Sequence, residues 1–267
     1  MMGYRVAVIG AGRMGGAVIR ALVERGGWDP SSVGASDRDA QKIKALAEGL
    51  GIRGFSDNAE ACLWTDAVVL AVKPQHVGKV LDEISSSMRG GQLFITVVMG
   101  KPISYFRQYL PPGVGIVRAM PNTPALIGKG ITAVSFEEDM TEEDRKRATQ
   151  ILSCLGELVE LDENLQDAAM AVSGCGPAYF FLVAEAMMEA GVRLGLDAST
   201  ALSLAVHTMI GAGELLKARG EHPAVLKGEV TSPGGSTIAA LEALEESGLR
   251  ASFFRAIRAA WSRAREV

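Results

Sequence analysis

Residues 227–238, Lys-Gly-Glu-Val-Thr-Ser-Pro-Gly-Gly-Ser-Thr-Ile, combine residue types that suit the binding of a small anion. Pro233 ends the preceding segment, and the pair Gly234–Gly235 permits backbone conformations that other residues resist. Ser236 and Thr237 then open an apolar periodic segment that predicts a helix. Free N–H groups at such a helix start converge on one spot and suit a carboxylate. Taken alone, however, the pattern favours a turn before a Ser/Thr-capped helix.

A second chemical pattern lies near the start of the chain. The β-branched run 5–9 leads into Gly10-Ala-Gly-Arg-Met-Gly15, and a helical pattern follows over 17–25. Strand, Gly-x-Gly-x-x-Gly and helix in this order form the dinucleotide fingerprint. Its first glycine permits the tight turn, its second lets a pyrophosphate approach the backbone, and its third lets the helix pack on the strand. Because the context is right on both sides, we expect this segment to bind a dinucleotide.

The segment Ser36-Asp37-Arg38 offers two ways to recognise the adenosine ribose. An acidic residue at this distance from the glycines usually binds the ribose hydroxyls of NAD, whereas an arginine accommodates the 2′-phosphate of NADP. Asp37 would turn outward if Ser36 and Arg38 hold a phosphate, with Arg38 as an always-charged planar fork. A plain solvated turn is the competing interpretation. The sequence favours NADP(H) over NAD(H).

Polar groups also follow two of the predicted strands. Lys73-Pro74 comes after strand 66–72, and Asn122 comes after strand 115–120, between two prolines that stiffen its loop. Ligands of doubly wound sheets bind at the carboxyl ends of the strands, so Lys73 is placed to meet cofactor or substrate and Asn122 to bind a nicotinamide. Pro74 at the first turn of a helix, and a plain turn at Asn122, explain both segments without a ligand.

These groups must be positioned by two kinds of structure. Strands are predicted at 5–9, 32–36, 66–72, 92–99, 115–120, 131–136 and 157–161, and helices alternate with them. After residue 162 no strand is convincing, and helices are predicted at 166–172, 178–194, 198–219, from 238 on, and at 251–264. We therefore expect an α/β protein, with a Rossmann-type doubly wound sheet in residues 1–162 and an all-helical domain in residues 163–267. The helices are apolar around much of their circumference, which predicts packing against a second subunit.

Composition limits the class of protein. The 267 residues are 48% hydrophobic and carry a net charge of −4 without a basic block, which disfavours a nucleic-acid or membrane partner. We expect no signal peptide and no membrane span, and hence a soluble cytoplasmic protein. Cys62, Cys154 and Cys175 are too scattered for disulfides or zinc, and the histidines are isolated, so we predict no metal site. A helix break is predicted at Ser173-Gly-Cys-Gly-Pro177.

Four segments together resemble one family: Ala71-Val-Lys-Pro-Gln75, Met120-Pro-Asn-Thr-Pro124, Ser173-Gly-Cys-Gly-Pro-Ala-Tyr179 and Val230-Thr-Ser-Pro-Gly-Gly-Ser-Thr-Ile238. In order and spacing the chain resembles pyrroline-5-carboxylate reductase over its full length. The resemblance implies reduction of the cyclic imine 1-pyrroline-5-carboxylate to L-proline, the last step of proline biosynthesis, by NADPH, with NADH as the alternative. It also implies that the helical domain binds substrate and dimerises, often within larger rings such as decamers.

The resemblance also assigns residues. Cofactor contacts would come from Gly10, Ala11, Gly12, Arg13 and Met14 at the pyrophosphate, Ser36, Asp37, Arg38 and Asn58 near the adenosine ribose, and Ala71, Val72, Lys73, Pro74 and Asn122 near the nicotinamide. Substrate contacts would come from Ser232, Gly234, Gly235, Ser236 and Thr237. Two positions depart from the family: Cys175 replaces a common serine, and Ser236 occupies a position that varies among small residues.

Thr237 is the predicted hydrogen-bond partner of the imine nitrogen. Its hydroxyl is too weak an acid to be a good proton source near neutral pH, so we expect it to position the nitrogen and relay a proton from water. Two rival hypotheses are a β-hydroxyacid dehydrogenase and a non-catalytic dinucleotide sensor. The first would need a catalytic lysine on a helix of the second domain, where only Lys217 and Lys227 occur, neither within a matching motif. The second would need the cofactor-binding half but not the loop Ser232-Pro-Gly-Gly235.

Overall fold

A parallel-dominated sheet organises the first two-thirds of the chain in the computed structural model, which describes residues 4–266. Its strands are β1 (Val6–Ile9), β2 (Val33–Ser36), β3 (Arg53–Phe55), β4 (Ala67–Leu70), β5 (Leu93–Thr96), β6 (Gly115–Pro121), β7 (Gly130–Phe136) and β8 (Gly156–Glu160). The strand order is β3-β2-β1-β4-β5-β6-β7-β8. Neighbours run parallel except β6 and β7, so the last two strands run opposite to the first six.

Helices flank the sheet, and helical segments follow its last strand. They are α1 (Arg13–Glu24), α2 (Ala40–Leu50), α3 (Asn58–Trp64), α4 (Val77–Ile84), α5 (Ile103–Arg107), α6 (Glu142–Ser153), α7 (Gln166–Ala169), α8 (Gly176–Arg193), α9 (Ala198–Arg219), α10 (Pro223–Glu229), α11 (Ser236–Glu246) and α12 (Leu249–Ala264). The predicted alternation of strands and helices, followed by helices alone, is confirmed. Strand β3 and helix α10 are not among the predicted elements.

The sheet is covered on both faces, as its continuous apolar strands require. Successive residues of a strand point to opposite faces. Val69 accordingly packs in a cluster with residues of α1 and α6, whereas Leu70 packs in a second cluster with residues of α4 and α5. Every residue of β1, β4 and β5 is buried. The two clusters hold the carboxyl ends of these strands, where ligands of such sheets bind, in fixed positions.

Two compact units divide the chain. Unit 1 comprises residues 1–175 and 261–267, and unit 2 comprises residues 176–260. The predicted domain boundary between 162 and 163 marks the end of the last strand and stays a prediction. Within unit 2, α8 packs on α9, with Ala201 filling the space that a side chain at Gly191 would need. The buried residues of unit 2 are Gly176, Ala184, Ala201 and Ala205.

The predicted helix break at 173–177 takes the form of a π-helical turn followed by a bend at Cys175. The chain passes from α7 through a π-helical turn, Met170–Gly174, and a bend at Cys175 into α8. The Cys175 N–H donates to the Met170 carbonyl, five residues earlier, at 2.9 Å. Pro177 is the second residue of α8, and because proline lacks an N–H it cannot donate to the carbonyl of Ser173 four residues earlier.

Continuity through the π-turn also affects a second prediction. The joined helical segment Glu163–Arg193 is long and apolar enough to cross a membrane by length and composition, and 22% of its most apolar window is buried. We expected no membrane span, and this one segment meets the length and composition of a span, a test that the core helices of soluble proteins also pass. At its start, however, Gln166 is fully buried and donates to the carbonyls of Arg118 and Ala133 on β6 and β7.

Candidate cofactor and substrate sites

The glycine loop connects β1 to α1, and its glycines meet three different surroundings. Gly10 has φ +94°, and a Cβ there would approach the Ala71 carbonyl oxygen to 2.8 Å. A Cβ on Gly15 would collide with the Gly10 carbonyl oxygen, whereas a Cβ on Gly12 would meet nothing within 4 Å. Gly12 is also the N-cap of α1 and offers no side chain to its first N–H groups. The loop is thus closed toward the protein and open at Gly12, as a bound pyrophosphate requires.

A cavity of about 270 Å³ adjoins this loop at the carboxyl edge of the sheet. Its lining residues are Ile9, Gly10, Gly12, Asp37, Arg38, Lys42, Asn58, Ala71, Val72, Lys73, His76, Lys79, Val80 and Glu83. Eight of the predicted cofactor residues are among them: Gly10, Gly12, Asp37, Arg38, Asn58, Ala71, Val72 and Lys73. The remaining ones adjoin the loop (Ala11, Arg13, Met14), lie beneath it in β2 (Ser36), open the turn before α4 (Pro74) or follow β6 (Asn122).

Several lining residues were not predicted. His76 directly precedes α4, and Lys79 and Glu83 lie within α4, each about one turn further along. Lys42 lies in α2. The spacing of three and four residues puts His76, Lys79 and Glu83 on one helix face. That spacing, immediately after Lys73-Pro74, was the signal available in the sequence.

Asp37 is oriented differently from the expectation that it turns outward. Its Oδ2 accepts the Ala11 N–H at 2.8 Å, its Oδ1 accepts the Asp39 N–H at 3.0 Å, and Lys42 Nζ lies 3.5 Å away. The free N–H of the glycine loop needs an acceptor, and Asp37 is the residue that supplies it. Burial by itself would raise the pKa of this carboxyl, but the Asp39 and Ala11 N–H groups and the Lys42 ammonium together hold the pKa below its ordinary value.

Ser36 and Asn58 form the start of a hydrogen-bond chain on the same edge. The buried Ser36 hydroxyl donates to Asn58 Oδ1 at 2.8 Å, and Asn58 Nδ2 donates to Glu83 Oε2 at 2.8 Å. The predicted pair is therefore brought together. The Ser36 hydroxyl proton is already donated within the protein, so it is not free for a phosphate. Of the predicted residues Ser36, Asp37 and Arg38, this leaves the cationic Arg38, which is exposed and lines the cavity.

Asn122 directly follows β6 and is almost fully buried, with 8% of its surface exposed. Its Oδ1 accepts the Ile131 N–H at 3.0 Å, and its Nδ2 donates to the Ser173 carbonyl at 3.1 Å. The side chain thus links the end of β6 to the start of β7 and to the π-turn. Its predicted contact with a nicotinamide stays a prediction.

The loop before α11 makes a tight turn at Gly234–Gly235, and its predicted anion binding stays a prediction. Gly234 has φ +66°, and the Gly235 N–H donates to the Ser232 carbonyl at 3.1 Å. The N-cap is Gly235, which makes no side-chain hydrogen bond, so the predicted Ser/Thr cap was wrong. Ser236 and Thr237 are instead the first two residues of the helix, where N–H groups have no partner within the helix. A Cβ on Gly235 would collide with the Ser232 hydroxyl oxygen.

Metal chemistry finds no support in the described part of the chain, where no group of three or more His, Cys, Asp or Glu residues is placed to hold an ion. The cysteines of residues 4–266 are free thiols. Burial raises the pKa of the Cys62 thiol to about 12, which makes it a poor nucleophile.

Comparisons with known proteins agree across the whole chain. Residues 163–267 match a family model described as pyrroline-5-carboxylate reductase dimerisation, and residues 5–100 match one described as NADP oxidoreductase, coenzyme F420-dependent. The pyrroline-5-carboxylate reductase of Methanosarcina acetivorans is 38% identical, with 100% of this chain and 99% of that protein covered. The enzyme of the same name from Arabidopsis thaliana is 35% identical, with 99% and 95% covered.

Solved structures give the same result. A pyrroline-5-carboxylate reductase from Coxiella burnetii superposes with a TM-score of 0.92 at 33% identity, covering 98% of each chain. A pyrroline carboxylate reductase from Plasmodium falciparum with NADP bound superposes with a TM-score of 0.89 at 28% identity, covering 100% of this chain and 98% of that one. By its full-length similarity in both sequence and fold, this chain belongs to the pyrroline-5-carboxylate reductase family.

Proposed function

We propose that unit 1 binds NADPH at the glycine loop and that residues 227–238 bind pyrroline-5-carboxylate, which the enzyme reduces to L-proline. The reaction is an NAD(P)H-dependent reduction of a C=N bond. The observation that carries it is the full-length match to relatives of that name, at 38% identity for the Methanosarcina acetivorans enzyme and 35% for the Arabidopsis thaliana enzyme. A β-hydroxyacid dehydrogenase and a non-catalytic sensor are not favoured by that match.

The cofactor side of the proposal rests on the shape and charge of the glycine loop. Gly12 leaves the room that a pyrophosphate needs beside the first N–H groups of α1, so Gly10–Met14 would hold it. Arg38 would bind a 2′-phosphate, since the Asp37 carboxylate is engaged with the Ala11 N–H. Asn58 and residues 71–74 would line the remainder, with Asn122 at the same edge of the sheet. When bound, the nicotinamide supplies the hydride, and the protein's task is orientation.

The substrate side of the proposal rests on the start of α11. Backbone N–H groups of Gly234, Ser236 and Thr237 would anchor the substrate carboxylate, with Ser232 and Ser236 adding hydroxyl donors. The Gly235 N–H donates to the Ser232 carbonyl, so Gly235 would shape the loop around the substrate instead. Anchoring the carboxylate fixes the imine carbon for attack. Thr237 would hold the imine nitrogen, and the proton would arrive from water because a threonine hydroxyl is too weak an acid to give up its own.

Assembly and location are further parts of the proposal. We infer a homodimer formed through the helices of unit 2, since large apolar side chains such as Phe181 and Leu204 are exposed in the single chain. Larger rings such as decamers, which the family resemblance implies, are distinguished from a dimer by a mass measurement in solution. We also propose a soluble cytoplasmic enzyme without nucleic-acid or membrane partners, in line with its net charge of −4 and the attachment of the segment 163–193 to the sheet through Gln166.

The deciding experiment follows NADPH and NADH absorbance with pyrroline-5-carboxylate as substrate. We expect oxidation of NADPH together with formation of proline. Cofactor binding without any turnover of the imine, with either cofactor, would contradict the proposed reaction and restore the sensor hypothesis.

A further inference from the structure

The carbonyl of Ser173 lacks its ordinary helical partner. In α-helical register it would accept from the N–H of the residue four positions later, but that residue is Pro177, which has no N–H. The Nδ2 of Asn122 donates to this carbonyl at 3.1 Å instead. A residue 51 positions earlier in the sequence thus satisfies a backbone group that the proline leaves open.

Asn122 is itself held firmly. Its Oδ1 accepts the Ile131 N–H at 3.0 Å, and its own carbonyl accepts the Ala125 N–H at 3.1 Å. It directly follows β6, which runs parallel to β5 and therefore ends at the carboxyl edge of the sheet. The amide is thus a fixed point at the edge where the cofactor cavity lies.

The group that Asn122 holds is the π-turn Met170–Gly174 and the Cys175 that follows it. Single π-turns within helices occur frequently at functional sites. Ser173 adds a hydrogen bond of its own, from its hydroxyl to the Ala169 carbonyl at 2.8 Å, within the same turn. Two hydrogen bonds therefore hold the π-turn in place, one from the Ser173 hydroxyl and one from the Asn122 amide at the edge of the sheet.

We infer that Asn122 is a positioning residue for imine reduction, which acts through the Ser173 carbonyl to fix the π-turn and Cys175 at the cofactor edge of the sheet. This inference rests on the proposed function. It differs from the sequence-based prediction that Asn122 acts as a direct nicotinamide ligand, because the partner of its Nδ2 is a backbone carbonyl of this chain. Pro177 also contributes: because it has no N–H, the Ser173 carbonyl needs the Asn122 side chain as its donor.

The test is a double-mutant cycle between positions 122 and 177. Asn122→Asp keeps the acceptor for Ile131 but removes the donor, and we expect kcat to fall by about 10-fold to 100-fold, the effect of leaving one buried polar group unsatisfied, with the KM for NADPH unchanged. Pro177→Ala restores an N–H that the Ser173 carbonyl can accept within the helix. In that background the loss caused by Asn122→Asp should shrink by about 10-fold. Asn164→Asp, the same change at an exposed turn, is the matched control and should leave kcat unchanged.

Two further readouts separate positioning from a cofactor contact. The loss in Asn122→Asp should narrow as the pH is lowered, because a protonated aspartic acid regains an O–H donor for the Ser173 carbonyl. An equal loss in both backgrounds, or a loss confined to the KM for NADPH, would overturn the inference. If Asn122→Asp is insoluble alone, recovery of soluble protein with Pro177→Ala supports the inference, and insolubility in both backgrounds overturns it.

The cycle can also fail independently of the proposed reaction. If the wild-type protein does not turn over pyrroline-5-carboxylate, the proposed function fails, and the same cycle is measured by thermal unfolding. Coupling between positions 122 and 177 in Tm would then leave the link between Asn122 and the π-turn standing, and the catalytic part of the inference would fall.

Discussion

The central sheet and the long helices bury their apolar side chains to very different extents. Every residue of β1, β4 and β5 is buried, whereas the buried residues of 176–260 are one glycine and three alanines. Large apolar side chains in unit 2 are exposed to solvent: Phe181 is 66% exposed and Phe254 is 78% exposed. Full burial of one such side chain contributes about 1.5–3 kcal/mol, so covering this surface is strongly favourable. Unit 1 therefore contains its own core, while unit 2 needs a second surface to complete one.

The largest expected effect tests that difference. Leu204→Asp in α9 would place a carboxylate on the proposed interface, where an uncompensated buried charge costs several kcal/mol and weakens dimerisation by more than about 100-fold. Leu63→Asp is the matched control, since Leu63 in unit 1 is 59% exposed and Leu204 is 55% exposed. Mass in solution and NADPH binding are measured for both. We expect Leu204→Asp, but not Leu63→Asp, to abolish the dimer. NADPH binding should be retained in both variants. An unchanged mass for Leu204→Asp would contradict the interface.

Cofactor choice belongs to unit 1 and should respond to Arg38. Arg38→Ala removes the proposed partner of the 2′-phosphate, and loss of a charge-assisted hydrogen bond of about 1.5–3 kcal/mol predicts a KM for NADPH raised by about 10-fold to 100-fold. Kinetics with NADH should stay the same. Arg20→Ala, an exposed arginine of α1 whose carboxylate neighbour is Glu24, serves as control. Equal losses with both cofactors would remove Arg38 as the phosphate contact.

Substrate handling belongs to unit 2 and should respond to Thr237. Thr237→Ala should lower kcat by roughly 10-fold, about 1.4 kcal/mol of transition-state stabilisation, because the imine nitrogen loses its hydrogen-bond partner. NADPH affinity should be unaffected. Thr149→Ala, at an exposed threonine of α6, controls for the loss of a helix hydroxyl. If kcat and KM are both unchanged, Thr237 has no part in the mechanism.

The smallest expected effect concerns pH and the glycine loop. Since the pKa of Asp37 is lowered on folding, its contribution to stability is fully present above the unfolded pKa of about 3.9 and is lost as the pH falls through the lower folded-state value. Asp37→Asn should therefore flatten the pH dependence of unfolding below about pH 4. Urea unfolding at several acidic pH values measures this. If the free energy of unfolding of Asp37→Asn depends on pH as steeply as that of the wild type, the acid sensitivity comes from other carboxylates.

The elements with strong local signals were predictable from the sequence. The runs around β1 and β4 are β-branched and continuous, so their strands were expected within two residues of where they lie. Strand β3 was missed because it has three residues, two of them exposed, with a glycine in the middle. No local pattern of apolar residues distinguishes such an edge strand from a loop.

The candidate sites were predictable as segments but not as hydrogen bonds. The glycine fingerprint and the Gly234–Gly235 pair identify their own loops, because each depends on backbone freedom that glycine alone supplies. The orientation of Asp37 depends on an N–H at Ala11, 26 positions earlier, and the π-turn depends on Asn122. Such long-range partners become visible only once the sheet has brought the strand ends together.

The return of the chain to unit 1 at Trp261 has a consequence for the order of folding. Unit 2 is an insertion in the topological sense, since the chain leaves unit 1 after Cys175 and rejoins it before the end of α12. Ala264 is buried in a small cluster with Met120, Ala133 and Met170. During synthesis, unit 1 therefore cannot complete this cluster until all of unit 2 has been made, although domains generally fold as units in order of synthesis. Until then Met120 of β6 and Ala133 of β7 lack one of the neighbours with which they are buried.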